Sequence, residues 1–531
     1  MSSEIIPDER RHGTDDAELA EHGYRQRLNR SLGGFSSFAA GFSYISILTG
    51  MFQLFGFGYG FGGPILFWAW LIVFGGQFCV ALVFAELSAR YPIAGSVYQW
   101  SKKVSNPTGA WFAGWAMLAG SVVTVASVSI ALQIVLPQIW SGFTVFSDST
   151  QNAVFLGCCA IVLTTIINIL GVRLMAFINN VGVAAELIGV ALIIVLLLFH
   201  IHRSPAVIFT AQGAGPGLPG WHMLGYLAPL LMCAIMPAYV MFGFDTAGSL
   251  AEETRDPRRT TPRALLRALA AAGAAGALLL LMALITAKTL NLGTLGTGSL
   301  PLILEQALGS GIGKVLLADV AFAIFICTLA IHTASIRLAF SMARDHALPF
   351  GEHLSHVSEY RKSPALPAIV SGAVAICILI VNFGNAQIFL VVTSVSIVIV
   401  YIAYLLVTVP ALLQRRRNGW PEDQGRTGWF FLGRRRGLII NGIAIGYGAL
   451  MALNLIWPRS AIYGSGTYAW GGVIFVAAVG IVGGAYYLWR QHGREHAVAH
   501  EHRAERQSDA MIATTAGNAA PDDRDGQETI A

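Results

Sequence analysis

The chain has 531 residues, of which 55% are hydrophobic and only 12% charged, and its formal net charge is +5. Soluble globular proteins carry about 25% charged residues, so this composition excludes a soluble enzyme, a nucleic-acid binder and a secreted scaffold. Long apolar runs alternate with short charged loops, which predicts an all-α membrane protein.

Twelve apolar runs approach or exceed the length of about 20 residues that a helix needs to cross a bilayer. In chain order, spans 1 to 12 are predicted at 35–55, 64–87, 111–136, 153–170, 179–198, 224–250, 265–290, 315–340, 366–381, 388–412, 438–457 and 470–488. This order predicts five parts. They are a cytoplasmic N-tail (1–33), a first five-helix repeat (34–200), a second five-helix repeat (220–412), spans 11 and 12 (437–490) and a polar, disordered cytoplasmic C-tail (491–531).

The basic residues predict the orientation, because cytoplasmic loops of membrane proteins are enriched in Lys and Arg. With a cytoplasmic N-terminus, all but four of the 34 basic residues fall on the cytoplasmic side. The four exceptions are Arg203, Lys288, Lys314 and Arg459. We therefore expect a multi-pass protein of the cytoplasmic membrane with both termini in the cytoplasm. The lipid bilayer is its expected partner, and the positive charge implies no nucleic acid.

The cysteines give no sign of a metal centre or a disulfide framework. All six lie inside apolar runs, where cysteine behaves as a small hydrophobic residue; they are Cys79, Cys158, Cys159, Cys233, Cys327 and Cys377. We expect no metal site and no cofactor other than a coupling ion.

Spans 1 and 6 are rich in residues that interrupt helices. Span 1 has Ser46 and Thr49 between Gly41 and Gly50, and span 6 has the run 243–249, which contains two glycines and an aspartate. Two broken helices at the heads of two five-helix sets are typical of inverted-repeat transporters, although small residues also allow close helix packing. Freed N–H groups attract a carboxylate and freed carbonyls attract a cation. A zwitterion such as an amino acid suits both.

Four ordered motifs, "GFSYISILTGMF", "ELSARYPIAGSVYQWSKK", "GFDTAGSLAEETRDPRRTTPRA" and "SMARDHALP", resemble signatures of the amino acid–polyamine–organocation superfamily. Within this superfamily, the motifs are most similar to those of the amino acid/choline/GABA permease branch. The resemblance runs from about residue 33 to 489. It implies the leucine-transporter-type fold, a 5+5 inverted repeat with helices 1 and 6 broken, followed by two C-terminal helices.

The resemblance also implies a substrate site where the two breaks meet. The residues expected there are Ile45, Ser46, Thr49, Gly50, Met51, Tyr239, Phe242, Gly243, Asp245 and Thr246. In the family, the backbone matching 49–51 holds a substrate carboxylate, and carbonyls or an aromatic lid face the amine. Asp245 matches an acidic position tied to gating and substrate release. A carboxylate there could instead cap the second half-helix.

Span 5 carries a second intramembrane acid, Glu186, which is a candidate for ion coupling. Some proton-coupled relatives have a lysine at about this place, so the acid departs from that pattern. It could bind Na⁺, exchange a proton, or simply form a hydrogen bond to a neighbouring helix. Span 8 offers Thr328, His332 and Ser335 to complete a cation site, although a lone histidine in a helix is more often a packed residue.

Charged residues near the predicted cytoplasmic mouth are candidates for a gate. Glu86 and Arg90 have the i, i+4 spacing of a helical ion pair. Five further candidates could pair across a closed mouth; they are Glu252, Glu253, Arg255, Arg344 and Asp345. Ordinary solvated loop charges are the alternative. Asp319, near the outer end of span 8, is expected to be solvated.

These features together predict a secondary active transporter that moves an amino acid or small amine by alternating access, coupled to H⁺ or Na⁺. A choline, GABA or polyamine permease or an amino-acid exchanger is the main alternative, and a membrane-bound sensor on a transporter scaffold is a remote one. The chain lacks G-x-S-x-G and H-E-x-x-H motifs, so we do not expect an enzyme.

Overall fold

The computed structural model describes residues 28, 30–211, 221–357, 363–381, 383–384, 386–417 and 429–491. Most of the predicted N-tail and, apart from residue 491, the predicted C-tail lie outside these residues. Every regular element in the described part is helical, apart from one isolated β-bridge between Leu32 and Thr254. The described residues fall into two compact units divided after Val476, and the second unit contains the end of the last helix.

The first five spans are helical where the apolar runs predict them. Span 1 consists of two helices that meet at Ser46. The helices are Gly34–Ile45 and Ile47–Gly62 in span 1, Leu66–Arg90 in span 2, Pro107–Ser129 in span 3, Ser149–Leu170 in span 4 and Val172–Leu198 in span 5. Short helices at Ser96–Val104 and Leu132–Ile139 follow spans 2 and 3.

The next five spans are also helical where the apolar runs predict them. Span 6 is divided into short helices, and the long helical segment 292–344 has non-helical backbone at Gly309, so that span 8 begins after this residue. The helices are Leu227–Cys233, Ile235–Val240 and Thr246–Ser249 in span 6, Pro257–Thr286 in span 7, Leu292–Arg344 including span 8, Ala365–Val381 in span 9 and Ala386–Arg417 in span 10. Arg434–Ile456 and Gly471–Tyr486 form spans 11 and 12.

Nine helical segments in the described ranges are long and apolar enough to cross a membrane, and 227–240 and 365–381 are shorter apolar helices. One of the nine, Gly34–Arg90, is 57 residues long and contains both span 1 and span 2. The prediction of an all-α membrane protein with interrupted first and sixth helices is confirmed.

The second half of span 1 packs closely against span 6. A Cβ atom on Gly50 would lie 2.4 Å from the Cγ2 atom of Val240, so the absence of a side chain permits this approach. Both broken helices are buried here, with Met51 and Phe242 almost inaccessible to solvent. The packing therefore brings the two breaks together in the interior of the first unit.

Candidate substrate and coupling site

The break in span 1 is a single residue, Ser46, whose backbone has a φ of 36° and a ψ of 97°. Its N–H group still donates to the Phe42 carbonyl, at 2.8 Å, and its own carbonyl accepts from the Gly50 N–H at 3.1 Å. Its hydroxyl lies 3.4 Å from the Thr49 nitrogen. The chain thus leaves one helix and enters the next within one residue, and Ser46 acts as the N-cap of the second.

Glu186 of span 5 lies on this break. Its Oε1 atom accepts hydrogen bonds from the Ser46 hydroxyl at 2.9 Å and from the Leu48 N–H at 3.1 Å. The residue is 1% exposed, and its Oε2 atom meets no hydrogen-bond partner among the described residues. A carboxylate at a helix N-terminus is favoured by the helix dipole, so the protein's own acid occupies the end of this half-helix.

The backbone N–H groups that were expected to bind a substrate carboxylate already have acceptors in this structure. The resemblance implies N–H groups over residues 49–51 that are free to hold a substrate. The Thr49 and Gly50 N–H groups instead face oxygens of Ser46, and the Leu48 N–H binds Glu186. Because the helix resumes immediately after the break, the first turn is already supplied with acceptors in this structure.

Three aromatic rings lie beside the two breaks. Phe242 makes edge-to-face contacts with Tyr44 and with Tyr239, both with ring centroids 5.8 Å apart. The Tyr239 hydroxyl lies 3.1 Å from the Ser127 hydroxyl, which donates to Thr393 Oγ1 at 2.8 Å. Spans 1, 3, 6 and 10 therefore meet around an aromatic cluster, which we define as Tyr44, Tyr239 and Phe242. Such rings can attract a cationic ammonium group.

The break in span 6 depends on Gly243, whose φ is +85°. A Cβ atom there would lie 1.9 Å from Cδ1 of Tyr44, so both the backbone conformation and the space require glycine. The Gly243 N–H donates to the Tyr404 hydroxyl at 2.9 Å. Span 10 thus supplies a partner for a backbone group that the break leaves free.

Asp245 joins three elements at this break. Its Oδ1 atom accepts from the Tyr404 hydroxyl at 2.5 Å, and its Oδ2 atom accepts from the Ser96 hydroxyl at 2.8 Å. Asp245 occupies the N-cap position of the half-helix Thr246–Ser249, but its side chain makes no capping hydrogen bond there. Asp245 instead ties span 6 to span 10 and to the start of the short helix after span 2. Thr246, next to it, is buried.

The polar residues of span 8 have hydrogen-bond partners other than Glu186. The His332 ring lies 3.0 Å from the Thr164 hydroxyl of span 4 and 3.0 Å from the Ser371 hydroxyl of span 9. The Thr328 hydroxyl donates to Ile324 O, and the Ser335 hydroxyl to His332 O. The histidine thus faces spans 4 and 9. The two hydroxyls donate their protons to carbonyls of their own helix, which leaves their oxygen atoms able to coordinate a cation, so the joint cation site stays a prediction.

Two further span 8 residues contact spans 1 and 5. The Cys327 thiol approaches the Tyr44 carbonyl at 3.4 Å, beside the break in span 1. Asp319 is half-buried rather than solvated, because its carboxylate packs on span 5, where a Cβ atom on Gly189 would be 1.7 Å from Oδ2. No group of three or more potential metal ligands occurs within the described ranges.

Ion pairs gather at one end of the bundle, where spans 2, 8 and 10 end. Arg344 forms a two-pronged pair with Glu252, at 3.1 and 3.0 Å, and Glu252 also accepts from the Ala94 N–H at 3.1 Å. Arg337 binds Glu253 at 3.0 Å with both side chains buried. We call this region, defined by Glu252, Glu253, Arg337 and Arg344, the paired end. Fork-shaped guanidinium–carboxylate pairs are geometrically specific.

Other predicted gate residues have partners different from those that the sequence suggested. Glu86 pairs with Arg415 of span 10, while the Arg90 guanidinium lies over the Tyr91 ring, 5.6 Å from its centroid. The predicted Glu86–Arg90 pair is thus replaced by a pair between two spans.

Asp345 and Arg255 complete the set of predicted gate residues. Asp345 binds Lys102 at 2.7 Å and accepts from the Tyr98 hydroxyl at 3.0 Å. The Arg255 side chain is exposed, and its backbone N–H donates to Leu32 O at 3.0 Å. The short helix after span 2 is therefore held to the end of span 8, while Arg255 contributes backbone contacts to the N-terminal segment.

Membrane-length helices with two broken spans that meet in the interior define the architecture of a secondary-transporter scaffold. The chain belongs to the amino acid permease family, whose model, described as "Amino acid permease", matches residues 32–483. The chain is accordingly a multi-span membrane protein of a permease family, and the resemblance read from its motifs is confirmed.

Individual relatives match over most of their length. Amino-acid permease BAT1 of Arabidopsis thaliana is 27% identical, over 83% of this chain and 89% of the relative. The BAT1 homolog of Oryza sativa subsp. japonica is 26% identical, over 82% and 86%. The low-affinity putrescine importer PlaP of Escherichia coli (strain K12) is 23% identical, over 71% and 80%.

Proposed function

We propose that this chain is a cation-coupled secondary transporter that carries an amino acid or a small amine across the cytoplasmic membrane by alternating access. The observation that carries the proposal is Glu186, a buried acid bound to the break in span 1. The distribution of basic residues supports an orientation with both termini in the cytoplasm. The paired end is then the cytoplasmic gate, closed in this structure by ion pairs.

Glu186 has the features required of a coupling group. One carboxylate oxygen holds the half-helix, whereas Oε2 is buried without a hydrogen-bond partner among the described residues. An unsatisfied buried acceptor is costly, and a proton or Na⁺ bound to Oε2 would remove that cost. Binding the cation would also weaken the attraction between the carboxylate and the helix dipole. Cation binding and the geometry of the break are thereby linked.

Of the two substrate classes in this proposal, the same geometry favours small amines without a carboxylate. Glu186 already offsets the positive end of the half-helix that would attract a substrate carboxylate, and the aromatic cluster suits an ammonium group. One relative is named a putrescine importer, whereas others are named amino-acid permeases. An amino acid and the amine formed by its decarboxylation differ only by the carboxylate group, so transport of such matched pairs distinguishes the two substrate classes.

Uptake of labelled compounds into proteoliposomes tests the proposal. The panel pairs each amino acid with its decarboxylated amine, ornithine with putrescine and lysine with cadaverine, and adds GABA and choline, with and without H⁺ and Na⁺ gradients. We expect saturable uptake of at least one compound, stimulated by an inward cation gradient. Preference for the amine of a pair supports an amine substrate, and preference for the amino acid supports an amino-acid substrate. Protein that transports none of them would contradict both.

A further inference from the structure

An apolar groove opens on the side of the bundle, between the start of span 6 and the end of span 11, at the end opposite to the paired end. Its volume is 540 Å³, within the range of about 300–1,000 Å³ that is usual for ligand sites. Its wall includes Met223 and Leu224 on one side and Leu450 and Leu453 on the other, all of them exposed. Exposed apolar side chains on membrane-spanning helices face acyl chains.

Arg459 is the one cation among the described residues that line this groove. Span 11 is a helix of 23 residues, or about 34 Å, which crosses the hydrocarbon layer of about 30 Å. Arg459 lies just beyond its last residue, and the neighbouring Trp457 is 62% exposed, as is common at the membrane interface. The guanidinium is therefore at the level of the lipid headgroups, with the apolar groove extending below it.

The guanidinium is held in place on one side and lacks a partner on the other. Its Nη2 atom donates to Asn454 Oδ1 at 2.6 Å, and Asn454 itself donates to the Leu231 carbonyl at 2.8 Å. The Nη1 atom is buried and has no hydrogen-bond partner in the part of the chain that the structure describes. No carboxylate is among the described residues that line the groove. An oriented, uncompensated guanidinium is suited to a phosphate group.

We propose that this groove is a binding site for one phospholipid, with its phosphate on Arg459 and an acyl chain between spans 6 and 11. The positive charge of Arg459 favours a headgroup that carries a phosphate, and the apolar wall of the groove favours an acyl chain. The bound lipid would lie against the Asn454–Leu231 contact that joins span 11 to the first half of span 6. This inference does not depend on which solute the protein carries.

Native mass spectrometry of the full-length protein, titrated with phosphatidylglycerol in detergent, tests the site. We expect one tightly held phosphatidylglycerol on the wild type and an affinity about fivefold lower for Arg459→Gln, since one basic residue near the headgroups contributes about that factor. Lys314→Gln removes an exposed cation at the same end of the bundle but outside the groove, and should bind like the wild type. Leu453→Trp, which fills the groove, should also lose affinity.

Three results with lipids would overturn the proposal, and a fourth with a free anion would do the same. They are equal phosphatidylglycerol affinity in the wild type and Arg459→Gln, equal binding of diacylglycerol, which lacks the phosphate, and full binding by Leu453→Trp. Glycerol phosphate added alone should not bind, and if it binds as well as the lipid, the site recognises a free anion instead. Unchanged melting temperatures of the variants ensure that lost binding does not reflect unfolding.

Discussion

Replacing Tyr404 by phenylalanine should damage the break in span 6 far more than a hydroxyl deletion elsewhere on the same helix. The Tyr404 hydroxyl donates to Asp245 at 2.5 Å and accepts from the Gly243 N–H at 2.9 Å. The ring itself would remain packed, since it contacts Phe84 with ring centroids 4.9 Å apart. The variant therefore removes two hydrogen bonds and leaves the surrounding volume nearly unchanged.

The expected magnitude follows from the two groups that lose their partner. A hydrogen bond to a carboxylate contributes about 1.5–3 kcal/mol, and a buried N–H without a partner costs about 1–3 kcal/mol. Tyr404→Phe should therefore destabilise this conformation by roughly 3–5 kcal/mol. Tyr401→Phe is the matched control, because that hydroxyl bonds to the half-buried Tyr447 at 2.7 Å and its loss should cost about 1 kcal/mol.

The assay combines the melting temperature of purified protein with its initial rate of substrate uptake in proteoliposomes. Tyr404→Phe should lower both clearly, whereas Tyr401→Phe should lower the melting temperature slightly and retain uptake. Asp245→Asn, which keeps the shape of the side chain, should alter uptake in the same direction as Tyr404→Phe. Equal behaviour of the two tyrosine variants would refute the view that the Tyr404–Asp245 contact controls the break.

Two further predictions concern the glycine at the span 6 break and the paired end. Gly243→Ala should abolish uptake and destabilise the protein by more than about 2 kcal/mol, because the positive φ and the contact with Tyr44 both resist a Cβ atom. The control is Gly442→Ala, where the space is open and the change should be neutral or slightly stabilising. Equal losses of stability in both variants would contradict this prediction. Glu252→Gln should cost about 3–5 kcal/mol because it removes the carboxylate of the buried pair with Arg344. The double variant with Arg344→Gln should recover part of this loss. Losses in melting temperature that simply add would show that the pair is not coupled.

The spans and their two breaks could be predicted from the sequence because they depend on local composition. Apolar runs of membrane length specify helices, and small or β-hydroxyl residues in spans 1 and 6 weaken them locally. The resemblance of four ordered motifs added the expectation of two five-helix repeats. Ser46 and Gly243 stand at the breaks themselves, as their residue types suggested.

The partners of buried charges could not be predicted, because they are set by packing between distant segments. The i, i+4 spacing suggested Glu86–Arg90, but Glu86 reaches Arg415 of span 10. Likewise, helical spacing places Thr328, His332 and Ser335 on one face of span 8, yet it does not say which neighbour that face meets. Residue composition alone does not specify which face of each helix packs against which neighbouring helix.

The most direct test of the account is the accumulation ratio of substrate reached by Glu186→Gln in proteoliposomes under an imposed H⁺ or Na⁺ gradient. Glutamine keeps the size of the side chain but cannot bind either cation by charge, so we expect substrate to equilibrate without accumulating. Glu305→Gln, the same change at an exposed position, should accumulate substrate like the wild type. Accumulation by Glu186→Gln that matches the wild type would contradict the assignment of Glu186 as the coupling group.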